Sequence, residues 1–405
     1  MKRTIGPAFL VAGTAIGAGV LALPLTLSKL GVLPLIILAI TIWLTMHYCS
    51  LIYLELNLRA GKGLPLGALG KEFGSQSSYV VGTICTMLLT YSLLSAYLYG
   101  GTSIIKIFCE AILGNEINSI NILNVFGVII FSIMLFYTKF VELTNRFLFV
   151  SLMVAFITLI VGLVLRVDIS NVPLIEAQVN DVSSWTIAIP VMFTSFAFHV
   201  ICHTLTDYCD KNPKILKNAC FYGSLIALIV YIIWTLSVII TIHNTSPEAY
   251  NEVVNGQVEV GRLIQILTQS TGFNYVRNFC WLISILAIVT SIFGVGLGLI
   301  DLIKDLLKDK FKEAPLKKHI FSVITAFAPP FFVAAVIPKA FINILAFAGM
   351  VVVILKIILP LWVLRKSNER NNGKVFFPIV NNSFLKTLFF LIGILIIGCE
   401  IYNFA

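Results

Sequence analysis

Eleven apolar runs of membrane-crossing length, separated by short polar breaks, constrain this 405-residue chain more than any other feature. They lie near 5–27, 32–57, 78–108, 121–138, 143–165, 185–207, 216–242, 275–303, 319–337, 340–364 and 384–404. About 20 apolar residues in a helix cross a hydrocarbon core of ~30 Å. Helices and closed barrels are the backbones that satisfy their own polar groups there. The chain is 59% hydrophobic and 12% charged, where a soluble domain is about 25% charged. The expected class is an all-α polytopic membrane protein with 11 transmembrane helices.

The net charge of +9 could be read as a nucleic-acid footprint. The distribution of Lys and Arg argues otherwise. With the N-terminus inside and eleven spans, 21 of the 28 fall on inner segments and 6 on outer ones, with Lys356 inside the tenth span. That sorting follows the positive-inside rule and places the C-terminus outside. Lys2-Arg3 ahead of an apolar stretch is read as the start of the first span, not as a signal peptide. The eight cysteines form no CxxC pair and no His/Cys ligand spacing. They read as small buried apolar residues, and no metal is expected. Two loops carry texture: 64–74 as a short amphipathic helix, and 243–274 as either a plain connection or a lid.

The first span holds Gly13-Thr14-Ala15-Ile16-Gly17-Ala18-Gly19 at its centre. Each interior glycine costs about 1 kcal/mol of helix stability relative to alanine. A span that only crossed the bilayer would not carry three. A broken helix at mid-membrane depth, with peptide groups placed to grip a solute, is the pattern of secondary transporters. Gly13-x-x-x-Gly17 is also a small-residue packing face, and the two readings are compatible.

The sixth span is the other candidate for a break, at Pro190-Val191-Met192-Phe193-Thr194-Ser195-Phe196-Ala197-Phe198-His199. It contains no glycine, so a continuous helix with a polar face is the alternative. If spans 1–5 and 6–10 are repeats, five helices each force opposite orientation, and the breaks meet near the midplane. The chain is then a single integral membrane transporter domain over 1–405. Repeat one covers about 5–165 and repeat two about 185–364, with an extra helix at about 384–404.

The segment Val11 to Gly19 with Leu21 and Pro24 resembles the opening signature of the hydroxy/aromatic amino acid permease family, within the amino acid–polyamine–organocation superfamily. The likeness recurs at Asn145-Arg146-Phe147-Leu148-Phe149, Ile189 to His199, Thr290-Ser291-Ile292-Phe293-Gly294-Val295, Gly298 to Asp301, Pro329-Pro330, Pro338-Lys339 and Phe341. It is closer to tyrosine than to tryptophan permeases. The resemblance implies an inverted five-helix repeat with discontinuous helices 1 and 6, in a bacterial inner membrane. It implies uptake of aromatic amino acids by alternating access, driven by an ion gradient, usually protons, with sodium possible. Two departures stand out: Ala197 where a glycine is expected, and no lysine in the fifth span.

A zwitterionic aromatic substrate presents a carboxylate, an ammonium and a ring. Free N–H groups near Gly17 to Gly19 and the positive end of a helix dipole suit the carboxylate. The expected backbone contacts are Ala12, Gly13, Thr14, Ala15, Ile16, Gly17, Ala18 and Gly19, with Phe193, Thr194 and Ser195. For the ring the candidates are Phe193, Phe196, Phe198, Tyr91, Tyr97 and Phe293. For ion coupling or gating they are Thr290, Ser291, His199, Glu142 and Asp207. The hydroxyl pair carries the sodium reading, though hydroxyls in helices also bond back to carbonyls. His199, Glu142 and Asp207 carry the proton reading. Glu55, Lys356 and His47 have no assigned role. Expected partners are the aromatic amino acid, a coupling cation and the bilayer, with no nucleic acid and no cofactor. An intramembrane enzyme would need a compact catalytic set; no HExxH, GxSxG or facing aspartate pair is present. A channel would want a filter-like loop, and none is evident.

Overall fold

Apolar helices that cannot bury a face in water must pack on one another, and the computed structural model describes this packing. It describes residues 2–17, 19–136, 138–164, 172–270, 274–307, 314–337, 341–369 and 374–404, with the backbone alone for 2–3, 138–143, 145–146, 160–164, 270, 274–278 and 404. Among the described residues no strand occurs. The helices are α1 (Lys2–Ala15), α2 (Gly19–Leu27), α3 (Val32–Ala60), α4 (Leu66–Leu69), α5 (Gln76–Leu113), α6 (Ser119–Met134), α7 (Thr138–Val164), α8 (Val182–Ser195), α9 (Cys202–Tyr208), α10 (Pro213–Thr245), α11 (Pro247–Val254), α12 (Val260–Ser270), α13 (Asn274–Leu306), α14 (Pro315–Val336), α15 (Phe341–Val353), α16 (Leu359–Glu369) and α17 (Ser383–Phe404).

Among the described residues eight helical stretches are long and apolar enough to cross a membrane, counting α8–α9 and α15–α16 as one each, and the bent pair α1–α2 makes up to nine. Two shorter apolar stretches, Ser119–Met134 and Phe147–Leu159, fall below that length. They coincide with the fourth and fifth expected spans. The short inner helix expected at 64–74 is α4 followed by a π turn, Gly70–Gly74. The 243–274 segment is not a plain connection. It folds into α11 and α12, and α12 packs on α5, α13 and α10. The Ser103 hydroxyl donates to Glu259 Oε2 at 3.3 Å, and Tyr250 donates to Glu176 at 2.7 Å. Burial, then the Glu176 carboxylate beside it, pushes the Tyr250 phenol up.

α1 runs along α10, α13 lies on α7 and α5, and α15 lies on α8 and α5. At one end of the bundle a buried carboxylate ties the chain together. Glu55 accepts from Arg59 at 2.7 Å and from the N–H groups of Phe376 and Phe377 at 3.1 and 2.8 Å. Arg59 in turn donates to Ser367 and Asn368 of α16. This gives Glu55 a structural place. His47 of α3 faces α10, its ring stacked near Trp43 and edge-on to Phe221.

Candidate functional site

The first span breaks where its glycines are. The helical ladder reaches Ile16, whose N–H bonds Ala12 O at 2.9 Å, and restarts with Val20 N–H on Gly17 O at 3.1 Å. The two segments, Thr4–Ala15 and Gly19–Leu27, meet at a bend of 57°. The sixth span also breaks, without any glycine. α8 stops at Ser195, Ala197 takes φ −78° and ψ 47°, and a 3-10 turn over Phe198–Ile201 leads into α9. Phe196 O accepts the Phe198 N–H at 2.8 Å, closing a tight turn that needs no positive φ. That is why Ala197 serves here in place of the glycine the family pattern suggested.

The two breaks touch. A Cβ added at Gly19 would lie 2.6 Å from Ser195 Oγ and 2.7 Å from Ser195 Cβ. Glycine is therefore required by close approach, whatever its conformational freedom. Between them stands Tyr231 of α10, whose hydroxyl lies 2.6 Å from Ala15 O and 3.0 Å from Ser195 O, one hydrogen shared by both carbonyls. The Gly17 N–H neighbours the same hydroxyl. Trp234, one turn on, donates its indole N–H to Val20 O at 2.6 Å. Phe196 meets the Tyr231 ring edge-on at 5.2 Å.

Other expected residues fall into three groups. Phe193, Phe196 and Phe198 are fully buried and Phe293 almost so. Tyr97, also buried, lies within electrostatic reach of Tyr231. Ser291 comes to the first break: a Cβ at Gly17 would meet its hydroxyl oxygen at 3.4 Å. A second group is occupied elsewhere. Tyr91 donates to Thr325 O of α14, Asp207 accepts the Gly63 N–H beside α4, and Thr14 sits on an exposed face with its hydroxyl on Leu10 O. Thr290 bonds back to Leu286 and Thr194 to Pro190, while Ser291 and Ser195 stay at the breaks with their hydrogens on Ala287 O and Val191 O. Gly13 is covered by the Phe149 ring of α7, with 2.5 Å from a built Cβ to the ring. Ala18 and the side chain of Glu142 form the third group and lie outside the described residues.

The carbonyls among the expected backbone contacts also sort into two kinds. Ala12, Phe193 and Thr194 each accept a local N–H, from Ile16, Phe196 and Ala197. Those of Ala15 and Ser195 face Tyr231 instead. Sequence reasoning missed Tyr231 and Trp234. A signal was present: a phenol and an indole three residues apart in a long apolar run each need a hydrogen-bond partner when buried.

The comparisons with known proteins agree with this architecture. The model of the tryptophan/tyrosine permease family matches residues 1–400. The chain is similar to tyrosine-specific transport system 1 of Haemophilus influenzae, 29% identical over 98% of this chain and 96% of that protein. It is 28% identical to tyrosine-specific transport system 2 of the same organism, over 98% and 95% of the two chains. It is 27% identical to the tryptophan-specific transport protein of that organism, again over 98% and 95%. A match over nearly the whole length, on a bundle of membrane-length helices with two abutting breaks, assigns this chain to the tryptophan/tyrosine permease family.

Proposed function

We propose that this permease imports aromatic amino acids, tyrosine foremost, across a bacterial inner membrane by ion-coupled alternating access. The observation that carries the reading is the contact of the two breaks at Gly19 and Ser195 around Tyr231. Its support is chemical. Broken helices in lipid need sheltered partners for freed peptide groups, and here Ala15 O and Ser195 O share one hydroxyl. A substrate ammonium donates to the remaining lone pairs of those two carbonyls, which Tyr231 holds in place. The N-terminal end of α2, near Gly17 and Gly19, takes the carboxylate, and Phe193, Phe196 and Tyr97 take the ring. Eleven spans in an inverted repeat, with the N-terminus inside and the C-terminus outside, complete the reading. Protons are the coupling ion in this scheme. The Ser291 hydroxyl near Gly17 is the observation that favours sodium as a second possibility.

The test is counterflow of labelled tyrosine in proteoliposomes of the full chain. Saturable exchange with tyrosine, tryptophan or phenylalanine, and none with glutamate, is expected. Exchange indifferent to the aromatic ring would overturn the substrate class.

A further inference from the structure

One intramembrane cation has no part in the site above. Lys356 lies in a π turn, Ile354–Ile358, that joins α15 to α16. Single π turns inside helices are frequent at functional sites. Lys356 is 7% exposed, and its ammonium nitrogen sits 5.7 Å over the Tyr53 ring. Among the described residues no carboxylate lies within ion-pair distance of it. A tight crevice surrounds it, lined by Cys49 and Tyr53 of α3, Leu66 of α4, His199, and Leu355 beside Lys356 itself. His199 is fully buried. Its Nε2 is 3.0 Å from Met46 O, so that nitrogen carries the hydrogen. Its Nδ1 is then a bare lone pair, buried and without a partner.

We propose that this crevice is the proton-binding site of the transport cycle, with Lys356 as the group that takes and releases the proton and His199 as its positioning neighbour. The proposal deepens the reading of the chain as an ion-coupled importer. The step is a plain protonation: the Nζ lone pair accepts one proton from water on one side and returns it to water on the other. An ammonium confined to a dry crevice without a counter-ion is costly. The charged form therefore favours a conformation in which the crevice admits water, and the neutral amine favours the closed one. Differential stabilisation of two states is what a coupling site requires.

The crevice is placed to act on the break. On one side α15 is fixed to α8: Thr194 Oγ1 donates to Leu345 O at 3.0 Å, and Gly349 lies against Pro190. On the other side His199 is fixed to α3 through Met46 O, and Phe198 stacks on its ring at 4.7 Å. Phe196 and Ala197, the break itself, lie between these two anchors. The ionisable groups facing the crevice are few. From α3 come His47, Cys49 and Tyr53, with Glu55 engaged by Arg59. From the break and α9 come His199, Cys202, His203 and Asp207, the last bonded to Gly63. α10 brings Cys220 and, near His47, Lys217. α5 meets Leu359 at Gly82, with Tyr79 and Cys85 nearby, and α17 meets the π turn at Gly393 with no charged residue within a turn.

Two arms test this on the full chain. In proteoliposomes, an imposed pH gradient is expected to drive tyrosine accumulation by the wild type. K356M should lower that accumulation about tenfold or more while counterflow falls no more than about threefold. H199Q, which keeps a donor for Met46 O, should shift the pH at which accumulation is half-maximal without abolishing it. In detergent, without substrate, the pH profile of the wild-type melting temperature should contain a component that K356M removes. Retained pH-driven accumulation by K356M, or wild-type accumulation driven by sodium and not by pH, overturns the proposal. Absence of tyrosine counterflow in the wild type overturns the substrate reading instead. The melting arm then decides Lys356 alone: identical pH profiles for wild type and K356M overturn the proposal.

Discussion

The two broken helices solve the same problem by opposite means. The first span breaks with three glycines in seven residues, and neighbours press directly on its backbone: Phe149 on Gly13, Ser195 on Gly19. The second breaks without glycine, at negative φ, and closes its own hydrogen bonds in a tight turn between Phe196 and Phe198. The first break is a receiving surface, bare so that others can approach. The second is the approaching part, carrying the side chains that fill the space. At the first break glycine also lets neighbours touch the backbone, while the second shows that a helix can end without it.

The strongest way to break this comparison is to add bulk to the receiving side. Gly19→Val places methyl groups where Ser195 already stands, and overpacking of this kind costs about 1–3 kcal/mol or more. Tyrosine uptake should fall below detection with the protein still in the membrane. Gly17→Ala, whose Cβ would sit 3.4 Å from Ser291 Oγ, should retain uptake, and Gly17→Leu should not. On the approaching side, Phe196→Ala opens a cavity worth about 3–5 kcal/mol and should weaken tyrosine more than a small amino acid in competition assays. An equal loss for both would remove Phe196 from the ring pocket.

Next in size is the group between the breaks. Tyr231→Phe leaves Ala15 O and Ser195 O without their shared donor, a penalty of about 1–3 kcal/mol. Exchange should fall about tenfold, read in the same counterflow assay. Ala197→Gly should change transport less than about twofold, since the native turn has no positive φ for glycine to relieve. A large gain there would show that the second break is strained after all.

The smallest effect distinguishes how the two elements begin. α8 opens on Asp181, which accepts from the Ser183 hydroxyl at 2.6 Å and the Ser183 N–H at 3.0 Å. These bonds hold the Asp181 carboxyl below its ordinary range. A depressed carboxyl stabilises the fold above its unfolded value of about 3.9, and that contribution is lost as pH falls through the folded value. Hydrogen exchange at 183–185, corrected for intrinsic rates, should quicken at acid pH. Exchange at 20–22 in α2, which has no acidic residue in its first turn, should not.

Much of the site was legible because its signals are local. Gly17 and Gly19 announced a bend, and the hydroxyls and aromatics after Pro190 announced a second element with polar needs. Asp207 and Tyr91 were named from residue type alone, and their partners in the structure lie far off along the chain. Gly63 N–H and Thr325 O supply those partners. Glu55 was unreadable for the same reason: its amide donors at Phe376 and Phe377 lie 321 and 322 residues away.

By itself the sequence determined the helical membrane class and the place of the first break. Both follow from interactions within a few residues, namely the length of apolar runs and the backbone cost of glycine. Only the tertiary structure decided which carbonyls the breaks release, which hydroxyl meets them, and that Lys356 and His199 share one crevice. Those choices depend on side chains brought together across 216 residues for Tyr231 and Ala15. Such contacts are set by how whole helices pack, which no local pattern encodes.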